Sequence, residues 1–341
     1  MARYLITLRP IDSYFFGGAI TFGDGGNLNY LVKSEKMPQQ TTILGMLRKE
    51  ILKQHGPYHK NINDYTNEEK VKIYEKIGKL PFSEKGPNDF GAIKSISPIY
   101  IKDGKIHYIP VPLDFSIKYK DISAGTYGSN AMTKDKTSIP SLEEYKPKIA
   151  LPRGFIADNG KSRIENDEDK DKGIFQPVEK VGIRKNPAGG ADEEAYYKQT
   201  RYMLKEDFRF ALIFESDLEL KDSIVEMGGE RSTFEMIAKA TPLVFSKIFE
   251  NVHAPKNGVL LFADSFAPAD IYDLCDFAIT EIISFQHFSD HSKNIERSPI
   301  YHLLKRGSVL YGNAEKVEQA LNRPHLAKVG FNIVQTINRE A

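Results

Sequence analysis

The chain has 341 residues, of which 40% are hydrophobic and 11% aromatic, so it has the apolar material for about two folded domains. Its 47 basic and 46 acidic residues nearly cancel, which excludes a protein that coats nucleic acid through its overall charge. Any nucleic-acid site must come from a local cluster of lysine and arginine. The single cysteine, Cys275, excludes an intrachain disulfide and a cysteine-rich zinc module, as is typical of a reducing cytoplasm.

The N-terminal segment predicts a strand. Tyr4, Ile6 and Leu8 alternate with polar or outward-facing positions, which is the period of a strand with one face on a core. This segment is too short and too polar for a signal peptide, and no apolar run approaches transmembrane length. We therefore expect a cytoplasmic protein with no membrane partner.

A glycine-rich loop and a helix follow this strand. The loop contains "FFGGAITFGDGG", and Pro38 with the pair Thr41 and Thr42 signals the start of the helix. Its apolar face is Ile43, Leu44, Leu47 and Ile51, and Gly56 with Pro57 ends it. A second, charged helix is predicted at "NEEKVKIYEKIGKL".

The charged segment 161–173 is too polar to pack and predicts a solvated loop or hairpin tip. We place a domain boundary near it, giving domains 1–175 and 176–341. In the second half Phe208, Phe210, Leu212 and Phe214 alternate and predict a strand. Further strands are predicted at "GVLLFAD", "AITEIISF", "GSVLYGN" and "AKVGFNIVQTI", and helices at "TFEMIAKATPLVFSKIF" and "AEKVEQALN". This mixture indicates an α+β fold, with a ferredoxin-like arrangement as the simplest form of each half.

Several motifs for metals and cofactors can be discounted. The glycine-rich loop lacks the Gly-Lys-Ser/Thr end of a P-loop, and "DEDKDKG" lacks the bidentate carboxylate of a calcium loop. His287 and His291 would share one helix face if their segment were helical, but no third ligand stands at a metal-site spacing. We favour a polar helix end or loop there, and RNA contact or acid–base chemistry by one histidine stays an alternative. No metal and no cofactor are expected.

Two turns carry basic residues beside glycines. "MGGERS" presents Arg231 on a turn that can expose backbone N–H groups, and it is equally compatible with a purely structural turn. "LLKRGSVLYGN" places Lys305 and Arg306 before Gly307, with Tyr311 at the end of the next strand, and "KVGFNIVQ" adds Phe331. Basic groups hold phosphates and aromatic rings stack on bases, so both turns are candidate contacts for single-stranded nucleic acid.

Six segments in order resemble a known family. They are "RPIDSYFFGGAITFG" with "MPQQTTILGMLR", "VGIRKN", "EEAYYKQTRY", "MGGERSTF", "RGSVLYG" and "VGFNIV". They resemble the RAMP superfamily of CRISPR proteins, especially the third subunit of the type III-B effector, the Cmr complex. The family usually has a basic segment after the paired phenylalanines, where this chain has "GGAI" at Gly17 to Ile20.

The resemblance implies two RAMP (RRM-like, ferredoxin-like) domains with inserted loops and hairpins. It implies a non-catalytic subunit that binds the 5′ repeat-derived tag of crRNA in antiviral defence. The partners would be the large polymerase-like subunit and the neighbouring backbone RAMP subunit. The alternatives are a metal-independent endoribonuclease of the same superfamily that uses His287 or His291, and a purely protein-binding scaffold.

Matching positions give the candidate RNA-binding residues. These are Lys33, Lys36, Arg48, Arg184, Lys185, Gly228, Gly229, Arg231, Lys305, Arg306 and Gly307 around the phosphates, with Tyr196, Tyr197 and Tyr311 available to stack on bases. Phe331 could stack as well, although packing in the core is the preferred interpretation for it. No catalytic residue is assigned.

Overall fold

The fold is known from a computed structural model, which describes residues 1–17, 31–59, 64–79, 81–114, 118–121, 140–143, 151–164, 168, 172–185, 191–252, 258–291 and 294–336. The strands begin with β1 (Ala2–Pro10), β2 (Leu31–Lys33), β3 (Ile93–Ile96), β4 (Tyr100–Asp103), β5 (Ile106–Pro110), β6 (Lys118–Asp121), β7 (Pro140–Glu143), β8 (Phe155–Ala157), β9 (Arg163–Ile164), β10 (Phe175–Lys185) and β11 (Ala191–Leu204). They continue with β12 (Phe208–Ser216), β13 (Ser223–Glu226), β14 (Thr233–Ala240), β15 (Gly258–Leu261), β16 (Cys275–Ile279), β17 (Ile282–Phe285), β18 (Phe288–His291), β19 (Asn294–Arg297), β20 (Tyr301–Leu304), β21 (Val309–Gly312) and β22 (Val334–Thr336). The helices are α1 (Gln40–His55), α2 (Asn67–Ile77), α3 (Phe245–Ile248), α4 (Ala314–Leu321) and α5 (Pro324–Ala327), with a short 3-10 helix at Ile271–Leu274.

Two main sheets organise these elements. The larger sheet has nine strands in the order β13-β14-β1-β12-β4-β5-β8-β9, with β3 also pairing with β12. The smaller sheet has the order β16-β21-β15-β22. Smaller groups are β10-β11-β2, β17-β20, β18-β19 and β6-β7. The α+β class predicted from the sequence is confirmed, since strands and helices are mixed and strands hold more of the described residues than helices do.

The larger sheet contains strands from both predicted domains, 1–175 and 176–341. Strand β1 lies between β12 and β14, with Ile6 paired to Leu212 on one side and to Ala238 on the other. The N-terminal strand therefore completes its sheet with strands from beyond residue 175.

Both faces of this sheet are buried. On β12, Phe210, Leu212 and Phe214 lie in one core with the apolar face of α1, whereas Ala211 and Ile213 lie in a second core. That second core includes residues of β15 and β21, so the smaller sheet covers the face opposite α1. The strand predicted at 208–214 is confirmed, and burial on both faces explains why its inward and outward positions are equally apolar.

The first helices agree with their predicted signals. The helix α1 begins at Gln40 and ends at Gly56, where φ is 41°. In α2 the Thr66 side chain accepts from the Glu69 N–H while the Glu69 carboxylate accepts from the Thr66 N–H, which is a capping box. No helix among the described residues is long and apolar enough to cross a membrane.

Three predicted elements are wrong. The segment predicted as a helix at 233–249 is strand β14 followed by the single turn α3. Phe234 and Met236 are buried at alternate positions, as in a strand, and Pro242 separates β14 from α3. The strand expected at 278–285 is divided between the end of β16 and β17, which belong to different sheets. The strand expected at 327–337 is only β22, because Asn332 has φ of 53° and its side chain bonds Phe266.

Candidate nucleic-acid interface

The two ends of the glycine-rich loop meet in one place. Isolated bridges pair Tyr14 with Tyr202, Phe15 with Gly229, and Phe16 with Glu35. The run before the loop is thus held between β11, the 228–231 turn and the segment after β2. Of the atypical "GGAI" segment Gly17 is described, whereas residues 18–30 lie outside the described residues.

The glycine turn is built against this run. Gly228 has φ of 84°, and Glu230 and Arg231 also have positive φ, at 55° and 51°. A side chain on Gly228 would place its Cβ 2.6 Å from the Phe15 carbonyl oxygen, so only glycine fits there. The Gly229 N–H donates to that same oxygen at 2.8 Å. The turn therefore holds a fixed position and presents the exposed Arg231 to solvent.

A buried arginine that the sequence did not single out supports this arrangement. Arg201 of β11 is 7% exposed, and its Nη2 donates to the Ser13 carbonyl at 2.7 Å and to the Ser232 hydroxyl at 3.2 Å. The Ser232 oxygen also accepts from the Phe15 N–H at 3.0 Å. Arg201 and Ser232 thus tie the start of the loop to the glycine turn. The only sequence signal for Arg201 is a charged residue that directly precedes a core tyrosine in a strand.

A groove of about 290 Å³ lies between the first turns of α1 and the glycine turn. Its lining consists of Thr42, Gly45, Met46, Lys49, Glu226, Met227, Gly228 and Arg231. Two glycines and two methionines form its apolar part, and the Lys49 amino group is 2.8 Å from the Glu226 carboxylate. Since Glu226 offsets the charge of Lys49, Arg231 supplies the positive charge of this groove.

Lys33 and Lys36 lie together where the chain leaves the loop. Both amino groups approach Oε1 of Glu168, at 3.5 Å and 2.9 Å. The hydrogen bond from Lys36 holds the pKa of the Glu168 carboxyl below its usual value, so this carboxylate is charged at neutral pH. Tyr202 donates to the same oxygen at 3.1 Å. Glu168 was not singled out in the sequence, because it stands within an acidic run that has no pattern of its own.

Arg48 is a structural residue in this fold. Its Nη2 donates to the Asp89 carbonyl at 2.9 Å, and its guanidinium lies 5.6 Å from the centre of the Phe90 ring. Burial lowers its pKa to about 10, still above neutral pH. The Asp89 carbonyl and the Phe90 ring thus account for the position of this guanidinium, and its contact with phosphate stays a prediction.

The candidates in β10 and β11 can be placed only by their backbone. Ile183 pairs with Tyr196 and Gly182 pairs with Tyr197 in an antiparallel hairpin whose second strand also pairs with β2. The side chains of Arg184, Lys185, Tyr196 and Tyr197 lie outside the described residues. Their role in RNA binding stays a prediction.

The candidates before and within β21 belong mainly to the interior. Arg306 is 8% exposed, and its guanidinium is paired with Asp264 at 2.7 Å and donates to the Ile99 carbonyl at 3.1 Å. Tyr311 is 2% exposed and donates to Asp114 at 2.6 Å. These two assignments are corrected. The Arg306 guanidinium is bound to a buried carboxylate and the Tyr311 ring lies inside the core, so neither is accessible to RNA.

The neighbours of Arg306 have mixed roles. Lys305 is partly exposed, and its amino group is 2.9 Å from the Glu281 carboxylate. Gly307 has φ of 89°, and its backbone bonds Leu261 and Leu113 in neighbouring segments. Phe331 is 2% exposed, which agrees with the preferred interpretation that it packs in the core.

The two histidines considered for the alternative nuclease function, His287 and His291, lie in an extended segment. His287 precedes strand β18, which ends at His291, so the condition of a shared helix face is not met. The His287 ring stacks on Tyr301 at 6.3 Å and packs edge-on against Phe82 at 5.3 Å. The His291 side chain lies outside the described residues. Within the described part, no group of three or more histidine, cysteine or acidic residues is placed to hold a metal ion.

Comparisons with known proteins agree on one family. The model of the family described as CRISPR-associated protein (Cas_Cmr3) matches residues 6–263. A chain in the structure of type III-B Cmr-beta bound to cognate target RNA and AMPPnP is 11% identical with a TM-score of 0.56, and the match covers 97% of this chain and 96% of that one. A chain of Cmr-beta bound to cognate target RNA gives a TM-score of 0.55 at the same identity and coverage. None of the curated proteins matches the chain. At this identity the structures show a shared fold, and the family model, which matches most of the chain, places the protein in the Cmr3 family of CRISPR-associated proteins.

Proposed function

We propose that the chain is a non-catalytic subunit of a type III-B CRISPR effector ribonucleoprotein and that it binds the 5′ repeat-derived tag of crRNA. Membership of the Cmr3 family and the likeness to chains of Cmr-beta bound to target RNA support this role. In this proposal the chain docks on the large polymerase-like subunit and on a neighbouring backbone RAMP subunit.

The observation that carries the proposal is the meeting of two glycine-rich segments at one surface. Phe15, just before the loop, pairs with Gly229 of the glycine turn, and Phe16 pairs with Glu35 after the loop. Exposed Arg231 on one side, with Lys33 and Lys36 on the other, flanks this place. Positive side chains at this surface can neutralise the phosphates of a single RNA strand, which supports RNA binding here.

We also propose two ferredoxin-like domains, with their boundary between Ala240 and Gly258. In the larger sheet β14, β1, β12 and β4 lie side by side in that order. Numbered by their order in the chain, these four strands have the spatial order 4-1-3-2. The strands β15, β16, β21 and β22 repeat this order in the smaller sheet. This is the arrangement of an antiparallel ferredoxin-like sheet, which supports a RAMP domain on each side of the boundary. The hairpin β10–β11 then lies in an insertion of the first domain.

The experiment that tests the function measures binding of the chain, with its large-subunit partner, to crRNA carrying the 5′ tag and to the same RNA with the tag scrambled. We expect preferential binding of the intact tagged RNA. Arg231→Gln should weaken binding and reduce the slope of log affinity against log salt by about 0.7, the value for one phosphate contact to a single strand. The control is Lys247→Gln, which removes one exposed positive charge from α3 and should leave both quantities unchanged.

Three outcomes would contradict the proposal. Equal affinity for the two RNAs would reject recognition of the tag. Discrete cleavage products in the absence of added metal would favour the endoribonuclease alternative instead. An unchanged salt slope in Arg231→Gln, together with unchanged affinity, would favour the protein-binding scaffold.

A further inference from the structure

Three hydrogen-bond donors converge on a single carboxylate oxygen at the end of the loop. Oε1 of Glu168 lies 2.9 Å from the Lys36 amino group, 3.1 Å from the Tyr202 hydroxyl and 3.5 Å from the Lys33 amino group. Two ammonium groups and one phenol around one oxygen form an arrangement that recognises an anion. The cluster of Lys33, Lys36, Tyr202 and Glu168 is called the lysine pair site below.

The donors of the lysine pair site are held in place by aromatic rings. The Lys33 amino group lies 5.8 Å from the centre of the Tyr202 ring, and the Lys36 amino group lies 6.0 Å from the centre of the Phe175 ring. The Tyr14 hydroxyl donates to the Lys36 carbonyl at 2.8 Å, which fixes the backbone beneath the second lysine. Burial raises the pKa of Tyr202, so its hydroxyl keeps the proton that it donates. These contacts position the donors in addition to the carboxylate that they hold.

The carboxylate is accessible to a competing anion. Side-chain exposure is 59% for Lys33 and 37% for Glu168, so solvent and a ligand can reach both partners. Among the described residues, this one carboxylate faces two ammonium groups. Exposed ion pairs of this kind are weak and are readily exchanged for another anion.

The lysine pair site lies on the path proposed for RNA. Lys33 ends β2, the first element after the glycine-rich loop, and Tyr202 pairs with Tyr14, the residue that precedes the paired phenylalanines. A phosphodiester carries one negative charge on two exposed oxygens, so it offers the same donors the same charge as a carboxylate.

We propose that the Glu168 carboxylate occupies the position of an RNA phosphate, and that Lys33 and Lys36 bind that phosphate when RNA displaces Glu168. This proposal rests on the proposed function, because it assigns one phosphate of the bound RNA to a site. Glu168 thereby weakens RNA binding, because the RNA must displace it.

The test compares Glu168→Gln with the wild-type full-length chain in fluorescence-anisotropy titrations with tagged and scrambled RNA at several salt concentrations. Glutamine keeps the shape of the side chain and removes its charge. We expect about two- to fivefold tighter binding of RNA at low salt, from the usual strength of exposed ion pairs. We also expect the salt slope to steepen by about 0.7, as one further phosphate is neutralised by uncompensated charge.

The matched control is Glu250→Gln, which removes an exposed carboxylate 3.4 Å from Lys247 on α3. It should leave RNA affinity at the wild-type value. Adding Lys36→Gln to Glu168→Gln should abolish the gain in affinity, because the second ammonium group is then missing. Thermal unfolding monitored by circular dichroism checks that each variant is folded.

The outcomes separate this inference from the proposed function. Equal affinity of the wild-type chain for tagged and scrambled RNA rejects tag recognition. The ratio of the RNA affinities of Glu168→Gln and wild type still tests the lysine pair site. Affinity that is unchanged or lower in Glu168→Gln overturns the inference, as does an equal gain in Glu250→Gln. Absence of RNA binding by every variant overturns both.

Discussion

The guanidinium of Arg306 holds both carboxylate oxygens of Asp264, with Nη2 2.7 Å from Oδ2 and Nε 3.2 Å from Oδ1. The backbone N–H of Arg306 donates to the same carboxylate at 2.9 Å. Burial alone would raise the pKa of Asp264, but the charge and hydrogen bonds of Arg306 hold that pKa below its usual value. This pair also reaches the Ile99 carbonyl, so it joins the turn before β21 to the start of β4.

Loss of this arginine should cost stability rather than RNA affinity. We expect Arg306→Ala to lower the free energy of unfolding by about 3–5 kcal/mol, because it leaves the Asp264 charge buried without its partner. The adjacent Lys305→Ala breaks an exposed pair with Glu281 and should cost only about 0–1 kcal/mol. Urea denaturation of the two variants measures the difference. Equal losses in both would show that the Arg306 pair is not a buried structural contact.

The glycine turn should tolerate no side chain at Gly228. Gly228→Ala forces an alanine into a positive φ and places its Cβ 2.6 Å from the Phe15 carbonyl oxygen. The control is Gly104→Ala, where φ is 52° and no atom lies within 4 Å of the added Cβ. We expect the control to cost about 1–2 kcal/mol from backbone strain alone.

The Gly228→Ala variant should lose more stability than this control, by about 1–3 kcal/mol, because the neighbouring backbone must move. It should also weaken RNA binding, since the turn that carries Arg231 is displaced. Urea denaturation and RNA titration on the two variants measure these effects. A Gly228→Ala variant that is no less stable than Gly104→Ala would refute the tight packing of the turn.

The elements with local signals were predictable from the sequence. Alternation in β1, the apolar face of α1 and the charged helix α2 depend on neighbouring residues, and the structure confirms all three. The strand β14 was misread as a helix because "TFEMIAKA" contains good helix formers, and its pairing with β1 overrides that preference. Pairing between distant segments leaves no local mark, so it could not be predicted.

In the candidate site, too, features with a local sequence signal were predictable and those that depend on distant partners were not. The sequence located the glycine turn and the two lysines, because glycines and charges are visible as letters. It could not distinguish an exposed Arg231 from a buried Arg306, since each stands within two residues of a glycine and the burial of Arg306 depends on Asp264, 42 positions away. Arg201 and Glu168 were missed for the related reason that their partners are distant in sequence.

The hydroxyl of Tyr311 should matter for stability and not for RNA. Tyr311→Phe removes the hydrogen bond to the buried Asp114, and we expect a loss of about 1–3 kcal/mol in the free energy of unfolding. The matched control is Tyr272→Phe, at a tyrosine that is 43% exposed and bonds Thr280 at 3.0 Å, where the loss should be smaller. RNA titration should give the wild-type affinity for both variants. Weaker RNA binding by Tyr311→Phe without a loss of stability would restore Tyr311 as an RNA contact, through its hydroxyl.

His107 should make stability depend on pH in the weakly acidic range. It is 8% exposed in β5, its Nδ1 has no hydrogen-bond partner among the described residues, and its ring lies 5.4 Å from that of Tyr100. Burial lowers the pKa of His107, and the nearby Lys102 adds to this while Asp158 opposes it. In the unfolded chain a histidine titrates near about pH 6.5.

The unfolded chain therefore takes up a proton at His107 before the folded chain does. The contribution of His107 to stability is complete above about pH 6.5 and is lost as the pH falls below that value towards the folded pKa, with a slope of at most about 1.4 kcal/mol per pH unit. Urea denaturation at pH 7.5 and at pH 5.5 should show that His107→Gln loses less stability between the two values than wild type does. The same substitution at the exposed His302 controls for the loss of a histidine as such. An identical pH dependence in wild type and His107→Gln would mean that His107 is not held neutral by burial.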